Sequence, residues 1–110
     1  MRSDSGLVMV VLRPGEGPSP SLTDRVRVHY HGTLRDGTVF DSSVVREEPV
    51  VLSLNRVIPC WIEALQKMRT GEKVRITCPA QTAYGDQGAP PLIKPGAALA
   101  FEVELIEILE

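Results

Sequence analysis

The chain has 110 residues, 43% of them apolar, which is enough for one hydrophobic core and too little for two domains. Twelve Lys and Arg against fourteen Asp and Glu give a formal charge of −2 with no like-charge block, so a phosphate backbone is excluded as the expected partner. The two cysteines, Cys60 and Cys78, are too few for a disulfide framework and lack zinc-site spacing; free thiols are the default reading, with a single bridge left open.

The first apolar run, Leu7 to Leu12, is short and follows Asp4 rather than a basic leader, and no run reaches membrane-spanning length. A soluble domain is expected, with its compartment open: cytoplasmic as the chain stands, periplasmic if a leader has been removed. Leu7 to Leu12 itself is β-prone and ends at Pro14-Gly15-Glu16-Gly17-Pro18, a cluster that turns away from regular structure. Arg25 to Leu34 alternates, with Val26, Val28 and Tyr30 on one face and Arg25, Arg27, His29 and His31 on the other, which predicts a half-buried strand whose histidines face solvent or a partner. Asp36-Gly37 signals a turn, after which Thr38, Val39 and Phe40 resume an extended path and close a hairpin.

Val50 to Leu54 is another short β-prone run. The period then changes: Pro59 at a first helical position, with Trp61, Leu65 and Met68 at i, i+4 and i+7, predicts a short amphipathic helix that stops by Gly71. Val74, Ile76 and Cys78 alternate with Lys73, Arg75 and Thr77, as Leu99, Phe101, Val103 and Leu105 do with Ala100, Glu102 and Glu104, giving two longer, central strands. Between them runs a Pro- and Gly-rich loop, Ala83 to Gly96, whose length points to function or disorder. The sum is an α+β domain, a mostly antiparallel sheet with one short helix against its apolar face.

The five aromatic residues, Tyr30, Phe40, Trp61, Tyr84 and Phe101, fall in five separate segments. Rings converging from so many elements make either the core of a small β domain or the walls of a pocket for a small apolar ring. Other constellations reduce to structure. His29-x-His31 lacks a third metal ligand. Ser42 and Ser43 have no nucleophile elbow and no placed base. Gly15-Glu16-Gly17 is too short to cradle a phosphate. No metal or cofactor is expected.

In unbroken order, Val28-His29-Tyr30-His31-Gly32, Asp36-Gly37-Thr38-Val39-Phe40-Asp41-Ser42-Ser43, Val57-Ile58-Pro59, Ala83-Tyr84-Gly85 and Phe101-Glu102-Val103-Glu104-Leu105 resemble the FKBP-type peptidyl-prolyl cis-trans isomerases. The residues before Val57 look most like the bacterial Mip-like and FkpA-like branch. The resemblance implies residues 7–110 as the isomerase domain behind a disordered or linking segment 1–6, and a curved five-stranded sheet wrapped around the helix. It implies a pocket lined by Tyr30, Phe40, Val57, Ile58, Trp61, Tyr84 and Phe101, with Trp61 as floor and Asp41 as polar wall, Arg46 placed to pair with Asp41, and Leu92 and Ile93 capping from the long loop. Asp41, Trp61, Tyr84 and Phe101 would carry catalysis. The Ile58 N–H and the Tyr84 hydroxyl would donate to carbonyls of a bound peptide or macrolide; the Ile58 role also follows from a helix mouth, where an N–H has no intrahelical acceptor. Val50, Thr82 and Ala89 stand where the family often has aromatic, tyrosine and histidine side chains, which implies a shallower pocket, and Cys60 stands where a glycine is usual, as a small packing residue or a modifiable thiol. Partners implied are proline-containing polypeptides and macrolides, with no nucleic acid and no membrane, for a monomeric fragment. The competing reading is a peptide-binding or chaperone module that uses the same cleft with little or no turnover.

Overall fold

The fold is that of a computed structural model, which describes residues 2–90 and 92–109. Met1, in the expected N-terminal segment, Pro91, in the long loop, and Glu110, at the domain's end, lie outside the described residues. In chain order the elements are β1 (Val8–Arg13), β2 (Arg25–Thr33), β3 (Val39–Ser42), β4 (Val50–Ser53), α1 (Pro59–Lys67), β5 (Lys73–Cys78) and β6 (Leu99–Ile108), with short 3-10 turns at Leu54–Arg56 and Ala80–Thr82.

The strands pair antiparallel in the order β1-β5-β6-β2-β3, and β4 also pairs with β2. Six strands are therefore present among the described residues where five were expected. The extra one arises because a single edge position is split: β3 covers His31 to Thr33 of β2 and β4 covers Arg25 to Val28, with the turn that carries Arg46 looping out between them.

The alternation read in the sequence becomes two sheet faces. On one, the register sets Val74 beside Val103 and Val103 beside Tyr30, then Ile76 beside Phe101 and Phe101 beside Gly32. The core forms on this face, joined by Cys60, Trp61, Ala64, Leu65 and Met68 from α1 and its C-cap. The helix starts where Pro59 fixes φ at the N1 position, and Ile58, extended at φ −61° and ψ 151°, is its N-cap. On the opposite face Glu102 pairs with Lys73 and Arg75, and Glu104 with Arg13.

One expectation needs correction. Cys60 and Cys78 are not free thiols; they form a disulfide across a Cα–Cα distance of 5.8 Å, well inside the bridging range. The sequence hides this because the contact depends on α1 folding back over the end of β5, 18 residues away. His29 and His31 lie on the charged face, as expected. Both are half-buried, and their Nδ1 atoms hydrogen-bond the Ser43 and Ser42 hydroxyls at 2.8 Å each. At the chain start Arg2 bridges to Val8, the Ser3 N–H donates to the Leu7 carbonyl at 2.9 Å, and Leu7 is fully buried.

Candidate active site

A cavity of about 360 Å³ opens between α1, the apolar sheet face and the long loop, a size suited to a small ligand or a peptide side chain. β2 contributes Tyr30, β3 Phe40 and Asp41, β6 Phe101, α1 Trp61, the segment before α1 Val57 and Ile58, and the loop Tyr84. All five aromatic residues thus line one site. Trp61 is only 5% exposed, yet it borders the open cavity and forms its floor. Its ring meets Tyr30 edge-on at 5.2 Å and Phe101 at 5.2 Å, while Phe40 meets Phe101 at 5.5 Å, all near-perpendicular. Such edge-to-face pairs fix each ring by its neighbours and add stability beyond area burial. Among the described residues the buried indole N–H meets no acceptor, a desolvation cost.

Gly32 makes the ring cluster possible. A Cβ there would sit 2.6 Å from the Phe40 ring and 3.0 Å from the Phe101 ring, so only a glycine lets both rings lie on β2. The residue belongs to the quoted motif, but alternation alone gave no sign of this close approach.

The polar rim is built around Asp41. The Tyr30 hydroxyl donates to Asp41 Oδ2 at 2.5 Å, and Arg46 donates to Asp41 Oδ1 at 2.5 Å and to the Tyr30 oxygen at 3.2 Å. The Arg46 guanidinium also lies 5.9 Å from the centroid of the Tyr30 ring. Partial burial pushes the Asp41 carboxyl up, but the hydrogen bonds from Tyr30 and Arg46 outweigh it and hold the acid below the ordinary carboxylate range. Burial, reinforced by the Asp41 charge, raises the Tyr30 phenol above its usual value. Both groups therefore keep fixed protonation states near neutral pH. The rim is anchored from behind: Tyr30 N–H donates to Ser43 Oγ at 2.8 Å and Ser43 N–H to the Tyr30 carbonyl at 3.0 Å, with Ser42 and Ser43 both buried. This gives the two serines a structural role.

At the helix mouth the Ile58 carbonyl accepts from the Trp61 N–H at 2.9 Å and from the Ile62 N–H at 3.2 Å, while the Ile58 N–H has no backbone acceptor among the described residues. Leu92 and Ile93 do not line the main cavity. They border an adjacent cleft of about 220 Å³ that shares Phe40, Asp41 and Tyr84 and also takes in Ala89 and Pro90. Val50 does not line the cavity; Leu52, on the same face of β4 two residues on, does. Leu52 and Arg56 are lining residues that the sequence reading missed. The period-2 spacing from Val50 pointed to Leu52, and Arg56 lies in the short segment before Val57 that resembles the Mip-like and FkpA-like branch, but neither was named as a lining residue.

Residues 17–106 match the family model of the FKBP-type peptidyl-prolyl cis-trans isomerases. The chain belongs to this family. It is 56% identical over 107 residues to the FKBP-type 22 kDa peptidyl-prolyl cis-trans isomerase of Escherichia coli, covering 97% of this chain and 52% of that protein. It is 44% identical to FK506-binding protein 1 of Rhizopus delemar, covering 94% of this chain and 98% of that protein. The crystal structure of FkpA from Escherichia coli superposes with a TM-score of 0.94 at 42% identity, over 98% of this chain and 50% of that one. The chain thus spans about half the length of these bacterial FKBP-type relatives.

Proposed function

We propose that residues 7–110 form the isomerase domain and accelerate rotation about X-Pro bonds of polypeptide clients, with the proline ring seated on Trp61 between Tyr30, Phe40 and Phe101. The supporting observation is the open cavity whose floor and walls are mutually perpendicular rings. The uncatalysed barrier of about 18–20 kcal/mol is the loss of amide resonance, and the reaction needs no nucleophile and no proton transfer. A twisted amide has lost its zwitterionic resonance form and is less polar than the planar one. A water-poor aromatic site therefore favours the transition state over the ground state. The Ile58 N–H and the Tyr84 hydroxyl hold the peptide by its carbonyls, and Asp41, locked by Tyr30 and Arg46, fixes the polar wall without reorganising during the turn. Leu92 and Ile93 contact the chain flanking the proline, and the same lining accepts macrolides. About five decades of acceleration, or about 7 kcal/mol, are shared among these contacts. The Cys60–Cys78 disulfide supports an oxidising compartment such as a periplasm as the place of action. Among the described residues no helix is long and apolar enough to cross a membrane.

The test is a protease-coupled assay on a short X-Pro peptide. The expected result is a rate above background that is proportional to protein and suppressed by Phe101→Ala. A background rate at micromolar protein, with peptide binding retained, would establish the binding-module reading instead.

A further inference from the structure

We infer that the Cys60–Cys78 bond is a redox-sensitive lock on the pocket floor: it positions Trp61, and opening it lowers isomerase efficiency without unfolding the domain. This rests on the isomerase reading above. Neither cysteine lines the cavity; Cys60 directly adjoins a residue that does, and Cys78 reaches such residues through its strand partner and the segment that follows it. Cys60 is the second residue of α1, directly before Trp61. Cys78 ends β5 and pairs with Leu99, two residues along β6 from Phe101, and it immediately precedes the segment that leads through the Ala80–Thr82 turn to Tyr84. One covalent bond therefore ties the floor to a wall and to the base of the long loop.

The first turn of α1 is held by Pro59 at N1 and by the packing of Cys60 and Trp61, without the usual polar capping. Its N-cap, Ile58, makes no side-chain capping bond, and no acidic residue lies in that turn to meet the helix dipole. With these devices absent, the bridge and the ring contacts are what hold the turn in which Trp61 sits. A shift of Trp61 would disturb its edge contacts with Tyr30 and Phe101 together. Opening the lock consumes a dithiol: two electrons and two protons pass to the protein, the S–S bond breaks, Cys60 and Cys78 become thiols, and the reductant closes to its cyclic disulfide. Both cysteines are buried, at 1% and 0% exposure, so exchange proceeds through local opening and calls for long incubation.

The test compares the oxidised chain, the chain reduced by dithiothreitol with a two-hydrogen mass gain confirmed, and the Cys60→Ala/Cys78→Ala double variant. Each is measured for far-UV circular dichroism, Trp61 emission and kcat/KM on an X-Pro peptide. The expected outcome is unchanged dichroism, altered Trp61 emission, and kcat/KM lowered roughly tenfold, as for a slightly misplaced positioning group, with recovery on reoxidation. Leu105→Ala, a fully buried change away from the cavity, serves as the oxidised control for lost stability alone and is expected to keep its kcat/KM. Unchanged kcat/KM in folded, reduced protein overturns the lock, as does an equal loss in Leu105→Ala or unfolding on reduction. An oxidised chain with no activity above background overturns the isomerase reading instead, while the emission change still reports on the lock.

Discussion

The floor and the rim of the cavity are held by opposite means. Trp61 and Phe101 are buried and braced by perpendicular ring contacts, with Gly32 leaving room for the Phe101 ring beside Phe40. Asp41 and Arg46 are half-exposed and held by three short polar contacts that include the Tyr30 hydroxyl. Packing is indifferent to salt and to pH, whereas hydrogen-bonded charges at a surface respond to both. The floor should therefore set whether the site exists, and the rim how well it works.

The largest expected effect tests the floor. Phe101→Ala removes a buried ring that touches both Trp61 and Phe40, and it should cost about 3–5 kcal/mol in a chemical denaturation series. In the same protein kcat/KM should fall about a hundredfold, since one wall of the cavity is lost. A variant that loses this stability yet keeps near-normal kcat/KM would show that the rings are core alone.

Gly32→Ala comes next and acts by crowding. The new methyl lies too close to Phe40 and Phe101 for both rings to stay, so about 1–3 kcal/mol of stability and roughly tenfold in kcat/KM should be lost. Phe40→Leu in the Gly32→Ala background should recover part of the stability, because the atom that clashes most closely is gone.

These two residues also mark what the sequence can and cannot disclose. Tyr30 and Phe101 were legible as inward-facing because period-2 alternation places them with the valines, and α1 was legible from Pro59 and the Trp61, Leu65, Met68 spacing. Where β6 lies beside β2 is a matter of register, and register decides that Gly32 meets Phe101. The disulfide was hidden for the same reason, since no spacing rule places the start of α1 over the end of β5. Period 2 puts Leu52 on the face of Val50, but that β4 and the turn carrying Arg56 border the cavity depends on β4 pairing with β2, which local pattern does not encode.

At the rim, Asp41→Ala should lower kcat/KM by up to about tenfold while costing no more than about 1 kcal/mol, because the carboxylate is half-exposed and its bonds are screened. Its pH signature has a definite sign. The folded-state pKa is depressed, so the stability that ionised Asp41 contributes is present above the ordinary carboxylate value of about 4 and is lost as pH falls through the lower folded value. Wild type and Asp41→Ala should therefore converge in stability below about pH 4. Tyr30 works the other way. Its raised pKa contributes stability below about pH 10 that disappears as pH climbs through the folded value.

The smallest effect belongs to Arg46. It touches the rim through Asp41 and through the hydroxyl and ring of Tyr30 and does not line the cavity, so Arg46→Ala should change kcat/KM by no more than about threefold. The informative measurement is its salt dependence. Raising ionic strength should weaken the Arg46 to Asp41 pair in the wild type and move its kcat/KM toward that of Arg46→Ala, whereas Phe101→Ala should show no comparable convergence. With Arg46 gone, Asp41 keeps the Tyr30 donor and the Ser42 backbone N–H but loses a charged partner, and its carboxyl should rise toward the ordinary range, shifting the acid limb of stability upward in pH. If Arg46→Ala proved as damaging as Phe101→Ala, the division between a packed floor and a charged rim would fail, and Arg46 would have to be read as a direct substrate contact.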